Sequence, residues 1–323
     1  MIKTPITWVG NKTSVLPILY SVFPLNYERY VEPFGGSGAV LLGKEKPDKF
    51  EVINDYNRDL INIFNCIKER PMELIYELGY YPLNARDDFN AMKRFLKKEH
   101  FLNFVSEKEL ELTRKIFPSP SNEELIKIYT TRADNYDIKR AATYLKVLRE
   151  SYASTGKSYA CQPFSIVSIF QLIEAVSKRM ENVVVENQDY KVLIPHYDRD
   201  NTFFYLDPPY ITTEDMYDAD FGEKDHLLLR ELLFAIKGYF LLSYNDCEFA
   251  REIYKGCNFL GFTRVHSMAQ RNKPGARFNE LLISNYDLFE RERAKPYQLN
   301  FFEPYNNLNE QLKERIIYGN SRC

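Results

Sequence analysis

The sequence predicts an α/β protein: a largely parallel sheet with an all-helical insertion after its second strand. Two patterns carry this expectation. Short apolar runs recur, each followed by a turn or a helical stretch, as parallel sheets with crossover helices require. Between about 60 and 150 the chain instead turns charged and helical in period. The clearest strand runs are Tyr30–Phe34, Glu51–Asp55, Val183–Glu186, Phe203–Asp207 and Tyr239–Ser243, with two more near 261–267 and 280–286. Helices are expected at 36–44, 165–181, 223–237 and 246–255.

The insertion contains the helical segments Asp87–Glu99, Glu107–Lys115 and Ile138–Glu150, broken by the loop Phe117-Pro118-Ser119-Pro120-Ser121. Some 90 residues are too many for a single crossover. The expected division is a discontinuous sheet domain at 1–59 and 151–290, a helical insertion at 60–150, and a polar tail at 291–323.

Composition narrows the class further. With 323 residues, 45% hydrophobic and 27% charged, the chain can bury a full core. A net charge of -2 neither demands nor excludes a nucleic-acid partner, because phosphate binding needs a local basic face. The five cysteines lie at 66, 161, 247, 257 and 323, no two at metal-ligand spacing, and the four histidines are dispersed. A reducing cytoplasm, no metal and no disulfide framework are therefore expected. No apolar run approaches the roughly 18 residues that a membrane span needs.

Two constellations point to chemistry. Glycines Gly35, Gly36 and Gly38 follow the first strand and open a helix, where they allow a tight turn and close backbone approach to a nucleotide-like ligand. The second strand ends at Asp55, about 20 residues on, where an acid can take both ribose hydroxyls of an adenosine. NAD, FAD and S-adenosylmethionine all fit this pair. Asp207-Pro208-Pro209-Tyr210 separates them. Phe203–Leu206 places Asp207 at the carboxyl end of a central strand, and two prolines leave a stiff loop with free carbonyls. Asp207 and the Pro208 carbonyl can each accept a hydrogen of a planar exocyclic amine, aiming its lone pair at a methyl donor. Tyr210 can stack on a base rotated out of the duplex. In-line transfer then needs positioning and electrostatics alone.

These motifs resemble those of the Dam-type DNA adenine methyltransferases. Thr7-Trp8-Val9-Gly10-Asn11-Lys12 resembles the family's N-terminal motif, Tyr30–Gly38 its cofactor loop (with Glu32 and Phe34), Val52–Asn57 its ribose-binding strand, Val184–Tyr190 the segment whose acid approaches the cofactor adenine, and Glu280–Tyr286 its closing strand. The resemblance implies a Rossmann-like S-adenosylmethionine methyltransferase sheet with an inserted helical target-recognition domain. It implies a cofactor site lined by Trp8, Lys12, Glu32, Phe34, Gly35, Gly36, Gly38, Asp55, Asp189, Tyr190 and Asp207, with Asp207, Pro208, Pro209 and Tyr210 catalytic. Lys139-Arg140-Ala141-Ala142-Thr143-Tyr144 is similar to the helix that ends the family's recognition region. After it the family has an N-G-x-x-R-x-N-x-x-G-x-F-N run, whereas this chain reads Arg149-Glu150-Ser151-Tyr152-Ala153-Ser154-Thr155-Gly156-Lys157-Ser158, so a GATC target is not implied.

Double-stranded DNA is the expected partner, contacted by Arg94, Lys97 and Lys157 and by the loop carrying Arg271, Lys273 and Arg277. A cognate restriction endonuclease is a second partner the reading admits, in a prokaryotic or phage setting. Three other readings stay open. An N-methyltransferase of RNA or protein amides more often carries Asn at the first motif position. A non-catalytic DNA-binding relative need not keep Asp-Pro-Pro-Tyr, and a dinucleotide oxidoreductase leaves residues 207–210 unexplained.

Overall fold

The structure is a computed structural model that describes residues 1–80, 85–97, 137–160, 165–210, 221–265 and 277–294, with isolated positions at 111, 112, 115, 124, 316 and 317. The chain forms two compact units: Met1 with Lys12–Tyr56 and Asn182–Cys323, and Ile2–Asn11 with Asn57–Glu181.

The first unit is built on one sheet of β1 (Arg29–Glu32), β2 (Phe50–Asn54), β3 (Val183–Glu186), β4 (Thr202–Leu206), β5 (Tyr239–Asn245), β6 (Asn258–Val265), β7 (Arg277–Ser284) and the two-residue β8 (Ile316–Ile317). Their spatial order is β3-β2-β1-β4-β5-β7-β6-β8. The pairs β3-β2, β2-β1, β1-β4 and β4-β5 are parallel, and β7 runs antiparallel between β5 and β6. The order reverses at β1, which has β2 on one side and β4 on the other. Ligands of open α/β sheets bind at such a switch point, beyond the carboxyl ends of the strands. The register Val31↔Val52 and Val31↔Phe204 brings the ends of β1, β2 and β4 level there.

Alternation along the strands explains the two buried faces. Val31, Val52, Phe204, Leu206 and Leu242 share one core with Leu193 and Ile194 of helix Tyr190–Tyr197 and Leu229 and Leu233 of helix Glu223–Ala235. Tyr30, Phe203 and Tyr205 alternate with these residues and pack about Phe23, whose ring centroid is 4.7 Å from that of Phe203. Each such side chain contributes on the order of 1.5–3 kcal/mol when removed from water, so both sheet faces must be covered.

The strands fall within about three residues of the runs read from the sequence. Helix Tyr190–Tyr197 does not appear among the expected elements. Its Tyr-Lys-Val-Leu-Ile-Pro run has neither the length nor the period of an amphipathic helix, and Pro195 lies inside it. What starts it is Asp189, whose carboxylate accepts from the Lys191 N–H at 2.9 Å. The tail contributes Ile316 and Ile317 to the sheet edge, opposite Phe262 and Gly261.

The second unit is helical: Arg58–Glu69, Pro71–Gly79, Arg86–Leu96, Ile138–Glu150 and Ile166–Met180. Its borders are wider than the 60–150 read from the sequence, because it takes in Ile2–Asn11 and runs on to Glu181. The expected helix Glu107–Lys115 and loop Phe117–Ser121 lie outside the described residues, apart from positions 111, 112 and 115. Asn57 caps the first helix through the N–H groups of Asp59 and Leu60 at 2.9 and 3.2 Å, and Asp137 caps the fourth through Lys139 at 2.7 Å. Arg140 makes a bidentate pair with Asp59 that ties these two helices together. Ala141, Ala142, Leu145, Val147 and Leu148 are buried along the fourth helix, which places it centrally in its unit.

Gly238, just before β5, has no room for a side chain: a Cβ there would sit 2.3 Å from the Thr202 carbonyl oxygen and 2.8 Å from that of Arg199. Both obstacles are backbone, so the strands themselves would have to move. Gly238→Ala should lower stability by about 1–3 kcal/mol in urea denaturation; a midpoint equal to that of the parent protein would contradict this packing.

Candidate active site

The first part of the site is the turn after β1. Gly36 and Gly38 have φ values of 49° and 68°, the left-handed region that glycine enters without steric penalty. Gly35 is constrained by space instead: a Cβ would lie 2.6 Å from Ile53 Cγ1 and 2.9 Å from the Asn54 carbonyl oxygen. This close approach lets the Gly35 N–H donate to that carbonyl at 2.7 Å. The Gly36 N–H donates to Asp55 Oδ2 at 2.9 Å, so the acid that follows β2 also braces the glycine turn.

Asn54 locks the neighbouring strand ends. Its Nδ2 donates to the carbonyls of Pro33 and Gln188 at 2.8 and 3.0 Å, and its Oδ1 accepts from the Gln188 N–H at 2.8 Å. One buried amide thereby satisfies the chain leaving β1 and the chain leaving β3. The sequence placed Asn54 only in a strand. Its role depends on residues 21 and 134 positions away.

The second part surrounds Asp207, directly beyond β4. Lys12 Nζ lies 2.9 Å from Asp207 Oδ1 and 4.0 Å from Glu280 Oε2, and donates to the Tyr210 hydroxyl at 2.9 Å. That hydroxyl is also 3.3 Å from Asp207 Oδ1, 3.3 Å from Glu280 Oε2 and 3.4 Å from Ser243 Oγ. Four elements therefore converge: the segment before the short helix Leu16–Ser21, the loop after β4, and strands β5 and β7. Lys12 and Glu280 have side chains only 5% and 4% exposed, whereas Asp207 is 22% exposed and reaches the open end of the site. Burial works against the charge of Lys12, but Asp207 and Glu280 outweigh it and hold the ammonium above its ordinary pKa. Pro208 is buried and Pro209 partly so.

Glu32 lies fully buried at the end of β1. Burial, only partly offset by Lys44, pushes its pKa up to about 8. Its Oε2 and the Tyr205 hydroxyl have no hydrogen-bond partner among the described residues. The charge of Asp207 adds to the upward shift of both Glu32 and Tyr205, which places this polar pocket beside the Asp207 cluster.

The remaining residues read from the sequence are distributed as follows. Phe34 packs with Tyr190 and Phe221 at centroid distances of 5.4 and 5.8 Å. Tyr190 is a core aromatic whose hydroxyl is held by Asp225, and Asp189 caps the helix it begins. Trp8 belongs to the helical unit, where its carbonyl accepts from the Asn11 N–H at 3.4 Å. Arg94, Lys97 and Lys157 are exposed, also in the helical unit. Arg271 and Lys273 lie outside the described residues, and Arg277 is placed only as the first residue of β7.

Glu280 and Ser243 are the site members to which the sequence assigned no role. A lone acid within the apolar run Glu280-Leu281-Leu282-Ile283 was the available signal, but its partners come from other parts of the chain. Among the described residues no group of His, Cys, Asp and Glu could hold a metal, and no helix is long and apolar enough to cross a membrane.

Five parallel strands extended by an antiparallel pair, a glycine turn at the switch point and an acid-Pro-Pro-Tyr loop beside it define a Rossmann-like methyltransferase. Residues 8–272 match the D12 class N6 adenine-specific DNA methyltransferase family, and the chain belongs to it. It is similar to the type II methyltransferase M1.LlaDCHI of Lactococcus lactis subsp. cremoris, with 24% identity covering 86% of this chain and 94% of the relative. It is similar also to the type II methyltransferase M.MjaIII of Methanocaldococcus jannaschii, at 26% identity over 88% and 99%. The DNA adenine methylase of Haemophilus influenzae is 24% identical over 85% and 91%. The protein is thus an enzyme of site-specific DNA adenine methylation.

The raised pKa of Glu32 has a consequence for stability. Between the ordinary carboxyl value near 4.5 and about 8 the folded chain keeps a proton that the unfolded chain has released. The Glu32 contribution to stability is therefore full at low pH, falls as pH rises through this window and levels off above it. Glu32→Gln, which cannot ionise, should show a smaller loss of thermal stability between pH 5 and 9 than the parent; identical pH profiles would refute the assignment.

Proposed function

We propose that this enzyme draws its methyl group from S-adenosylmethionine, bound beyond the carboxyl ends of β1, β2 and β4, and delivers it to N6 of an adenine rotated out of duplex DNA. The observation that carries the reading is Asp207, held by Lys12 at 2.9 Å at the end of β4 beside the Pro208-Pro209 loop. The residues present suit the cofactor. Glycines that leave the turn bare, Asp55 beside it and the unpartnered, buried Glu32 Oε2 supply close approach, a ribose acceptor and an acceptor for an ammonium group. Phe34, Gly35, Gly36, Gly38, Trp8, Asp189 and Tyr190 complete the proposed cofactor set, with Tyr190 acting through its packing on Phe34.

S-Adenosylmethionine, when bound, supplies an electrophilic methyl group on a cationic sulfur. Everything else falls to the chain. Lys12 fixes one oxygen of Asp207, which sets the direction of the carboxylate. That carboxylate and the Pro208 carbonyl accept the two hydrogens of the adenine amine, so the nitrogen lone pair points out of the ring plane. The surplus proton of the methylated nitrogen leaves along its hydrogen bond to Asp207. Tyr210, anchored through its hydroxyl to Lys12 and Glu280, offers its ring to the base.

The insertion at 60–150 is proposed to recognise the target, with the catalytic domain at 1–59 and 151–290 and the tail at 291–323 left outside the chemistry. Exposure of Arg94 and Lys97 in the insertion, and of Lys157 just beyond it, supports phosphate contacts; Arg271, Lys273 and Arg277 are assigned the same task by their basic loop. The relatives named type II methyltransferases favour a cognate restriction endonuclease as partner, in a prokaryotic cytoplasm and with a prokaryotic or phage gene as the source.

The test is transfer of tritiated methyl from S-adenosylmethionine to unmethylated genomic DNA, followed by nucleoside analysis. Label should appear in N6-methyladenine, and label confined to RNA or protein would sink the reading. Asp207→Ala should lower turnover by at least ~10²-fold, since it removes both positioning and an electrostatic partner.

A further inference from the structure

We propose that Glu280 adds a unit negative charge to the methyl-transfer site, and that this charge biases the site toward a cationic sulfonium donor over the neutral thioether left after transfer. The inference rests on the cofactor reading above. It concerns which charge state of that cofactor the site favours, which neither the glycine turn nor the Asp-Pro-Pro-Tyr loop addresses.

Asp207 already pairs with Lys12 at 2.9 Å, so one acid is enough to neutralise the buried ammonium. Glu280 adds a second, 4.0 Å from the same nitrogen and only 4% exposed. Desolvating another carboxylate is costly, and a neutral residue of the same shape would satisfy the tyrosine equally well. A glutamine at this position could accept from the Tyr210 hydroxyl, now 3.3 Å from Glu280 Oε2. What glutamate adds over glutamine is therefore charge. Lys12 carries one positive charge against the two negative charges of Asp207 and Glu280, and whatever else lies nearby, removing Glu280 makes the site one unit more positive. The residue sits on β7, hydrogen-bonded between β5 and β6 opposite Asn245 and Phe262, so its backbone is held by the sheet and cannot swing the charge away.

During transfer the carbon–sulfur bond breaks with its electron pair going to sulfur, while the N6 lone pair forms the new carbon–nitrogen bond. The positive charge leaves the sulfur and passes to the nitrogen, which then loses a proton. The negative charge that Glu280 contributes favours the charged donor, and that contribution to its hold vanishes once the sulfur is neutral. Donor capture and product release are thus biased by the same residue.

The experiment is calorimetric titration, without DNA, of S-adenosylmethionine and S-adenosylhomocysteine into the parent enzyme, Glu280→Gln, Glu280→Asp and Ser243→Ala. Glu280→Gln should lose about tenfold or more in affinity for the sulfonium, the scale of one unit charge several ångströms away at intermediate dielectric, with thioether affinity little changed. Glu280→Asp should restore the preference. Ser243→Ala, which removes a contact to Tyr210 but no charge, should leave the ratio of the two affinities as it is. Equal losses for both ligands in Glu280→Gln, or a changed ratio in Ser243→Ala, would overturn the proposal. Should Glu280→Gln not fold, the parent enzyme still decides: it should prefer sinefungin, a cationic amine analogue, over the neutral thioether, and equal affinities would refute the charge assignment. Failure of the parent to bind any of these ligands would instead refute the cofactor reading on which the proposal stands.

Discussion

The candidate active site depends on one buried ammonium. Lys12 comes from the segment that opens the sheet unit, Asp207 and Tyr210 from the loop after β4, and Glu280 from the antiparallel strand β7. An unpaired lysine at this depth would lose its proton or pull in water. Two carboxylates keep it charged, and in return it orients the more exposed of them. This arrangement gives Asp207 a fixed direction without burying it, which a hydrogen-bond acceptor for an incoming amine requires. The prolines that follow stiffen the loop and add a carbonyl, but the loop alone does not set the carboxylate's angle.

The neighbouring half of the site obeys a steric constraint. Gly35 comes so close to β2 that a single methyl group would meet both Ile53 and the Asn54 carbonyl. Gly36 and Gly38 then turn through conformations that L side chains avoid. Asn54 holds the ends of β1 and β3 together, and Asp55 receives the Gly36 N–H. The glycine turn is therefore braced from the strand beside it as well as by its own bond from the Gly38 N–H to the Gly35 carbonyl at 2.7 Å. Glu32, buried between the two halves, remains largely protonated near neutral pH. A cation brought against it would favour its ionised form, so the pocket has a group that responds to a charged ligand.

Much of this was legible in the residues. Strands are short and apolar because both sheet faces are covered, and that makes them readable as runs. The glycine turn and Asp207-Pro208-Pro209-Tyr210 are local in the chain, and each residue type has a backbone or chemical reason to be there. Less legible was helix Tyr190–Tyr197, which is short and carries Pro195, so that only the Asp189 cap and its packing on the sheet reveal it. Tyr190 and Asp189, expected beside the cofactor through resemblance, have structural tasks as well: one hydroxyl is held by Asp225, and one carboxylate caps a helix.

The class of sheet, the glycine turn and the acid-Pro-Pro-Tyr loop were encoded locally in the chain, because periodicity, glycine placement and a stiff acid-proline motif act over a few neighbouring residues. Only the tertiary structure decided the electrostatics of the site. Lys12 and Tyr210 are 198 residues apart, and Tyr210 and Glu280 a further 70. Their charges meet because β7 inserts antiparallel between β5 and β6, and no local pattern encodes that insertion. Coulomb interactions depend on distance in space and on burial, and a sequence specifies neither until the strands are ordered.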